Sequence, residues 1–174
     1  MEPMYRDELI TIPYAVLIYD EIEEYEEVIA DLAGEIEKNS NNYVAYNNRG
    51  LALAEIGRIE EALNDFTKAI ECSPTGPMPY CNRGKIWENR NQSEAAIEDY
   101  TSAIALQPDE ATLWRIRAFL FMKIGNYAAT IADLSQAIDL NPRFRHTYEV
   151  RAELRKLLGD DFGCRSDLEK AAQL

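Results

Sequence analysis

The sequence predicts an all-α fold, a solenoid of stacked antiparallel helix pairs. One observation is that the segment 43–74 is repeated after a shift of 34 residues. Another is that the same residue types recur in the same columns of four successive copies, which indicates a repeat protein. A single helix pair cannot bury its own apolar face, so successive pairs must stack. The aromatic column holds Tyr46, Tyr80, Trp114 and Tyr148, and the small-residue column holds Gly50, Gly84, Ala118 and Ala152.

The chain begins with a segment that has no helical pattern. Residues 1–19 contain Pro13, which would break a helix interior, and they predict an extended or irregular segment. A degraded first helix of a missing repeat is the other interpretation. From Asp20 onward, Ile22, Tyr25 and Ile29 recur at spacings of three and four, which predicts an amphipathic helix. We interpret residues 20–42 as an acidic half-repeat with a capping helix.

Each of the four copies predicts two helices joined by a short turn. The copies span 43–76, 77–110, 111–144 and 145–174, and the last is interpreted as a truncated capping copy. In the first copy the helices should cover Tyr43–Ile56 and the stretch from the Gly57-Arg58 turn to about Cys72, since Pro74 cannot continue a helix. Later helices are expected at 78–90, 93–106, 111–124, 127–140, 145–158 and 160–173.

These columns resemble the tetratricopeptide repeat family. The first copy carries that motif as Tyr46, Gly50, Ala62, Phe66, Ala69 and Pro74, and the second as Tyr80, Gly84, Ala96, Tyr100, Ala103 and Pro108. The resemblance implies a right-handed superhelix whose concave groove is lined by the first helix of each pair. The later copies depart from the motif at Thr130, Leu134, Cys164 and Leu168, where the earlier copies have alanine or an aromatic residue.

Composition limits the classes of function. The net charge is −13, and residues 1–42 hold 12 acids against Arg6 and Lys38, so most of the negative charge precedes the repeats. Phosphate backbones would repel such a chain, and nucleic acid is not an expected partner. No apolar run is long enough for membrane insertion. The three cysteines have no paired spacing, and we therefore expect a cytoplasmic protein.

Two charged columns repeat in step with the copies. One holds Arg49, Arg83, Arg117 and Arg151, and the other holds Asp31, Asp65, Asp99, Asp133 and Asp167. A basic stripe for ligand binding is one interpretation. A structural role is favoured, because an arginine between helices is tolerated when it pairs with an acid. Spacing leaves open whether each arginine pairs within its own copy or with the preceding one.

The resemblance places the binding site in the concave groove. The side chains expected there are Asn47, Asn48, Leu51, Cys81, Asn82, Lys85, Arg115, Ile116, Phe119 and His146. A mixture of amide, apolar and charged groups is typical of surfaces that bind an extended peptide. Asn48 and Asn82 also resemble the asparagine ladder of the family's glycosyltransferase superhelices, although they could simply belong to an Asn-Arg-Gly variant of the motif.

The resemblance also offers a carboxylate clamp, with which some family members hold the C-terminal acid of heat-shock chaperones. In copies one to three its positions hold Asn47, Leu51, Asn82, Thr112 and Ile116, and only Asn82 matches. Copies two to four provide no match. A carboxylate bound without its cations would be desolvated and unpaired, so we do not expect this clamp.

We predict no catalytic, cofactor or metal site. His146 is the only histidine, so neither a zinc-binding histidine cluster nor a Ser-His-Asp triad can form. The chain has no glycine-rich phosphate loop, and nothing in the sequence is expected to activate the Cys81 thiol. The basic run 143–146 could receive an acidic partner, although a solvated turn is the favoured interpretation.

Together, these observations predict a non-enzymatic adaptor or scaffold whose groove binds a peptide or a protein surface. Two alternatives remain open. The first is self-association, as a homodimer through residues 1–38 with the acidic helix against the basic C-terminal end. The second is a regulatory arm of a larger enzyme or assembly.

Overall fold

A computed structural model describes residues 22–174, and all regular elements within this range are helices. The chain divides into two compact units, residues 1–72 and 73–174. The first unit contains α1 (Ile22–Lys38), α2 (Tyr43–Glu55) and α3 (Ile59–Cys72). The second contains α4 (Pro77–Asn89), α5 (Ser93–Leu106), α6 (Ala111–Lys123), α7 (Tyr127–Leu140), α8 (Arg145–Leu157) and α9 (Asp161–Ala171). The predicted irregular segment 1–19 and the first two residues of the half-repeat lie outside the described range.

Consecutive helices pack against each other within each unit. In the first unit α2 packs on α3 and on α1, and in the second unit each helix from α4 to α9 packs on its neighbour in the chain. Helices joined by such short connections run antiparallel. The predicted all-α solenoid of helix pairs is therefore confirmed.

The turn inside each helix pair has the same backbone geometry. Gly57, Gly125 and Gly159 have φ values of 80°, 76° and 82°, and Asn91 occupies the matching place with φ 58°. In the first pair, the Arg58 backbone N–H donates to the Leu53 carbonyl and the Gly57 N–H donates to the Ala54 carbonyl, which is a Schellman motif. Glycine and asparagine are the residues that tolerate this left-handed conformation best.

A glycine and an aromatic ring are matched in size in the first two pairs. A Cβ atom at Gly50 would lie 2.8 Å from the ring of Phe66, and one at Gly84 would lie 3.2 Å from the ring of Tyr100. The third pair combines Ala118 with Leu134, and both belong to one buried cluster. In that pair the larger small-column residue and the smaller core residue compensate each other in volume. In the fourth pair Ala152 is buried, whereas Leu168 is 49% exposed.

The other unusual core residue, Thr130, is also accommodated. It stands where the first two pairs have Ala62 and Ala96, and it is fully buried. Its hydroxyl donates to the backbone carbonyl of Asn126, one turn earlier, at 2.9 Å. The buried polar group is therefore satisfied within its own helix.

Candidate functional site

Each arginine of the repeated column binds the aspartate 16 residues later, within its own helix pair. The guanidinium donates from Nε and Nη2 to the two carboxylate oxygens at 2.6–2.9 Å, in the pairs Arg49–Asp65, Arg83–Asp99, Arg117–Asp133 and Arg151–Asp167. All four aspartates are buried. Two-point pairing of this kind holds the first helix of each pair against the second.

The electrostatic consequence is visible in the first two arginines. Hydrogen bonds to Asp65 and Asp99 raise the pKa of Arg49 and Arg83, respectively, in each case against the opposing effect of burial. These two guanidinium groups therefore hold their protons more tightly than a free arginine does. Each arginine and its aspartate bind each other, so these charges stabilise the helix pair and are not available to a ligand.

Asp31 departs from the column to which the sequence assigned it. It is exposed, and it makes no ion pair with any residue in the range 22–174. The physical reason lies in the spacing, because the residue 16 positions before Asp31 is Ala15, where the other copies have arginine. Asp31 is thus a surface acid of α1, and the structural role predicted for it is wrong.

Charge is divided unequally between the first and second helices of the pairs in the second unit. The first helices carry nine cations and three acids, namely Arg83, Lys85, Arg115, Arg117, Lys123, Arg145, Arg151, Arg155 and Lys156 with Glu88, Glu149 and Glu153. The second helices carry only the cations Arg165 and Lys170, against Glu94, Glu98, Asp99, Asp133, Asp139, Asp161, Asp167 and Glu169. Arg155 of α8 also donates to Asp167. Once Arg155 and the three column arginines are set aside, five cations and three acids remain on the first helices. We call the exposed and half-buried side chains of α4, α6 and α8, together with Phe144 directly before α8, the first-helix surface.

Aromatic and basic groups of this surface come together between α6 and α8. The rings of Phe119 and His146 stack with centroids 6.4 Å apart and an angle of 18° between their planes. The guanidinium of Arg115 lies 4.3 Å from the centroid of the Phe144 ring, a cation–π distance. His146 Nδ1 lies 3.5 Å from a carboxylate oxygen of Glu149. Three of the predicted groove residues, Arg115, Phe119 and His146, are therefore neighbours.

Phe144 was missed as a site residue by reasoning from the sequence. It immediately precedes α8, and only the packing of α6 against that end of α8 brings it under Arg115. The basic and aromatic run 143–146 was the signal that could have pointed to it.

Lys85, Ile116 and Cys81 differ in their accessibility. Lys85 is exposed and donates to Glu88 one turn later. Ile116 and Cys81 are partly buried against the core cluster around Leu113 and Leu120. Burial, with a smaller contribution from nearby Asp99, raises the pKa of the Cys81 thiol to about 12. This side chain is therefore a packing group and a poor nucleophile.

The predicted amide groups are less accessible than a peptide-binding ladder would need. Asn47 is 7% exposed and Asn82 is 4% exposed, whereas Asn48 and Leu51 are partly buried. Asn47 Nδ2 donates to the side-chain oxygen of Asn48 at 3.3 Å, so these two amides bond to each other. Asn47, Asn48 and Leu51 belong to the first unit, and the remaining predicted groove residues belong to the second.

Two further findings concern the described residues only. Among residues 22–174 no group of three or more His, Cys, Asp or Glu side chains is arranged to hold a metal ion. In the same range, no helix has the length and apolar character that crossing a membrane requires.

The helix pairs, their turns and their repeated columns define a helical repeat protein. Residues 43–75 and 82–158 each match the family described as Tetratricopeptide repeat. The chain belongs to the tetratricopeptide repeat family. Proteins of this family are generally interaction modules, which supports a protein-binding adaptor role. No curated protein matches the chain.

Solved structures of the same fold are similar to the chain over most of its length. A crystal structure of MamA has 18% identity and a TM-score of 0.75, covering 87% of this chain and 88% of that one. MamA from residue 41, from Desulfovibrio magneticus RS-1, has 19% identity and a TM-score of 0.71, covering 86% and 85%. YrrB, a TPR protein with an unusual peptide-binding site, has 15% identity and a TM-score of 0.71, covering 87% and 78%. At these identities the likeness is one of fold.

Proposed function

We propose that the protein is a non-enzymatic adaptor that binds an extended peptide or a protein surface on the first-helix surface of its second unit. The observation that carries this proposal is the group of Arg115, Phe144, Phe119 and His146 on a surface with an excess of cations. Aromatic and arginine side chains are the residue types that most often dominate binding energy at protein interfaces. Peptide binding is also the property for which YrrB, a protein of the same fold, is described.

The ligand that fits this surface is a peptide with acidic residues and an apolar or aromatic anchor. The Phe119–His146 stack and the Phe144 ring provide flat apolar area, and Arg115 provides positive charge beside the Phe144 ring. Lys85 adds an exposed positive charge on α4. The chaperone clamp is not part of the proposal, because Thr112 and Ile116 stand where that clamp needs cations or amides. Acidic side chains would instead meet cations spread along the three helices.

The proposal can be tested by screening a peptide library of varied charge and measuring the affinity of selected peptides by fluorescence polarisation. Lys85→Glu and Arg115→Gln should weaken binding about fivefold or more each, since each removes a cation near the ligand. Lys170→Glu on α9 is the matched control and should change affinity less than about twofold. Selection of no acidic peptides, or equal losses for Lys85→Glu and Lys170→Glu, would contradict the proposed surface.

Self-association is a second candidate function, favoured by the charge of α1. This helix carries seven acids, Glu23, Glu24, Glu26, Glu27, Asp31, Glu35 and Glu37, against Lys38 alone. It therefore complements the cationic first-helix surface of a second copy, in line with the homodimer through residues 1–38 expected from the sequence. Light scattering coupled to size exclusion should then show a dimer at about 0.05 M salt that dissociates at about 0.5 M, because exposed charge pairs are screened. A monomer at both salt concentrations eliminates this candidate.

The proposal also includes the location of the protein, the class of its partner and a role in a larger assembly. A cytoplasmic location is supported by Cys72, Cys81 and Cys164, which are all free thiols. The net charge of −13 supports protein over nucleic acid as the partner. A role as the regulatory arm of a larger assembly would use the same first-helix surface, and the adaptor experiment tests both.

A further inference from the structure

Two arginines of the repeated column make a third contact, to the preceding helix pair. Arg117 Nη1 donates to the hydroxyl of Thr101 at 3.0 Å, and Arg151 Nη1 donates to the hydroxyl of Ser135 at 2.8 Å. Each hydroxyl lies 16 residues before its arginine, on the second helix of the preceding pair. Each of these two arginines therefore donates to an aspartate 16 residues later in the chain and to a hydroxyl 16 residues earlier.

Arg49 lacks this backward contact. The residue 16 positions before it is Ala33 on α1, which has no side-chain oxygen. The hydrogen bonds of Arg49 use Nε and Nη2, both to Asp65, and its Nη1 donates to no residue in the described part of the chain. The Nη1 group of Arg49, whose side chain is 21% exposed, is thus left for another acceptor.

A cleft lined in part by Arg49 lies within the first unit. It has a volume of about 350 Å³ and is lined by Ile29, Arg49, Leu53, Arg58, Glu60, Glu61, Asn64 and Asp65. Ile29 precedes Ala33 by one helical turn, so the cleft and the missing hydroxyl belong to the same side of α1. This volume lies in the range of small-ligand sites and can hold one or two side chains.

The lining restricts the chemistry of a ligand. Arg49 Nη1 requires an oxygen acceptor, and the buried Leu53 with Ile29 offers apolar contact next to it. Arg58 is already bonded to Glu61 and Glu26, so it is not available to an anion. Three carboxylates against two guanidinium groups make the lining net negative, which favours a neutral or basic ligand.

We propose that this cleft binds a serine or threonine side chain of a partner peptide that has basic neighbours. The partner's hydroxyl would accept a hydrogen bond from Arg49 Nη1, as Thr101 and Ser135 accept from Arg117 and Arg151, so an internal contact of the later repeats becomes an intermolecular one at Arg49. Threonine fits better than serine, because its methyl group contacts Ile29 and Leu53. The site belongs to the first unit alone and does not depend on the first-helix surface of the second.

The test is an NMR titration of the full chain with two blocked peptides, acetyl-Lys-Thr-Lys-amide and acetyl-Lys-Val-Lys-amide. Threonine and valine have the same shape, so the pair isolates the hydroxyl. The threonine peptide should shift the Arg49 Nε–H signal and the methyl signals of Ile29 and Leu53 saturably, and it should bind about fivefold more tightly than the valine peptide. Equal affinities, shifts that map to other residues, or no saturable shift would each overturn the proposal.

A second test uses a variant that places a hydroxyl at position 33, where the later repeats have Thr101 and Ser135. Ala33→Ser should abolish the preference for the threonine peptide and raise the melting temperature, since Arg49 would then have an acceptor within the chain. Ala30→Ser, at an exposed position of the same helix, is the matched control and should leave the preference unchanged. A preference that persists in Ala33→Ser, with the helix content unchanged by circular dichroism, would show that the hydroxyl site is not the one bound.

Discussion

Gly50 lies so close to the ring of Phe66 that a single added methyl group cannot fit without movement. The distance of 2.8 Å is below any ordinary carbon–carbon contact, and the neighbour is a ring that is 1% exposed. Glycine normally weakens a helix by about 1 kcal/mol relative to alanine, so its presence in the middle of α2 reflects close packing.

Gly50→Ala should therefore destabilise the protein by about 1–2 kcal/mol, because overpacking outweighs the gain in helix propensity. In the background of Phe66→Leu, the same change should become neutral or stabilising, since Ala118 and Leu134 share one buried cluster in the third pair. Urea unfolding of the two single variants and the double variant gives the coupling energy. Additive effects within about 0.3 kcal/mol would mean that the two side chains do not constrain each other.

The Cys81 thiol should react with alkylating reagents more slowly than the Cys72 thiol, although both side chains are partly exposed. With its pKa raised to about 12, about one thiol in 10,000 is ionised at pH 8, and only the thiolate is nucleophilic. We expect iodoacetamide to label the partly exposed Cys72 much faster than Cys81, and labelling of Cys81 to keep increasing with pH through pH 10. Peptide mass spectrometry measures both rates. Comparable rates at pH 8 would contradict the burial of Cys81.

At the scale of helices, the arginine–aspartate pairs hold the two members of each helix pair together. Asp167 on α9 is the most heavily used of the four aspartates, because it accepts hydrogen bonds from both Arg151 and Arg155 of α8. The three side chains form a largely buried network. A buried charge that loses its partner costs far more free energy than the intact pair contributes.

Asp167→Asn should lower the free energy of unfolding by about 3–5 kcal/mol and should first release α9 from α8. Urea unfolding gives the magnitude, and amide hydrogen exchange of α9 shows where the loss begins. Glu169→Gln, an exposed change on the same helix, is the control and should stay within about 0.5 kcal/mol of the parent. A loss below about 1 kcal/mol for Asp167→Asn would mean that the network is dispensable.

At the scale of the whole molecule, the net charge of −13 is the sum of acidic and basic regions. The second helices of the second unit and α1 are acidic, whereas the first helices of the second unit are basic. Net charge alone would predict repulsion of acidic partners. The local distribution predicts that such partners are attracted at one surface.

Binding of an acidic peptide should accordingly weaken about tenfold between about 0.05 M and 0.5 M salt, because the cations involved are exposed and screened. A scrambled peptide of the same charge separates this effect from specific contacts, and it should bind more weakly with the same salt dependence. Isothermal titration calorimetry at four salt concentrations measures both. Affinity that is independent of salt would contradict the role of the cations.

The helices themselves could be predicted closely from the sequence. The predicted helices at 93–106 and 127–140 coincide with α5 and α7, and Pro74 marks the end of the helix that closes at Cys72. Each of these signals is local and recurs in at least three of the four copies, so chance matches are averaged out. The division of the chain into a half-repeat and four repeats at 76, 110 and 144 stays a prediction.

The helix pairs, the turns and the family could be predicted from the amino-acid order alone, because periodic apolar residues, glycines and prolines act within one or two turns of the chain. The partners of the charged and polar groups depend instead on how the helices pack. Arg49 and Arg117 share a column, yet of these two only Arg117 donates to a hydroxyl. Asn82 was predicted to be a groove amide, yet its side chain is buried. Such contacts depend on how one helix is rotated about its axis relative to the next, and this rotation cannot be predicted from a column of repeated residues.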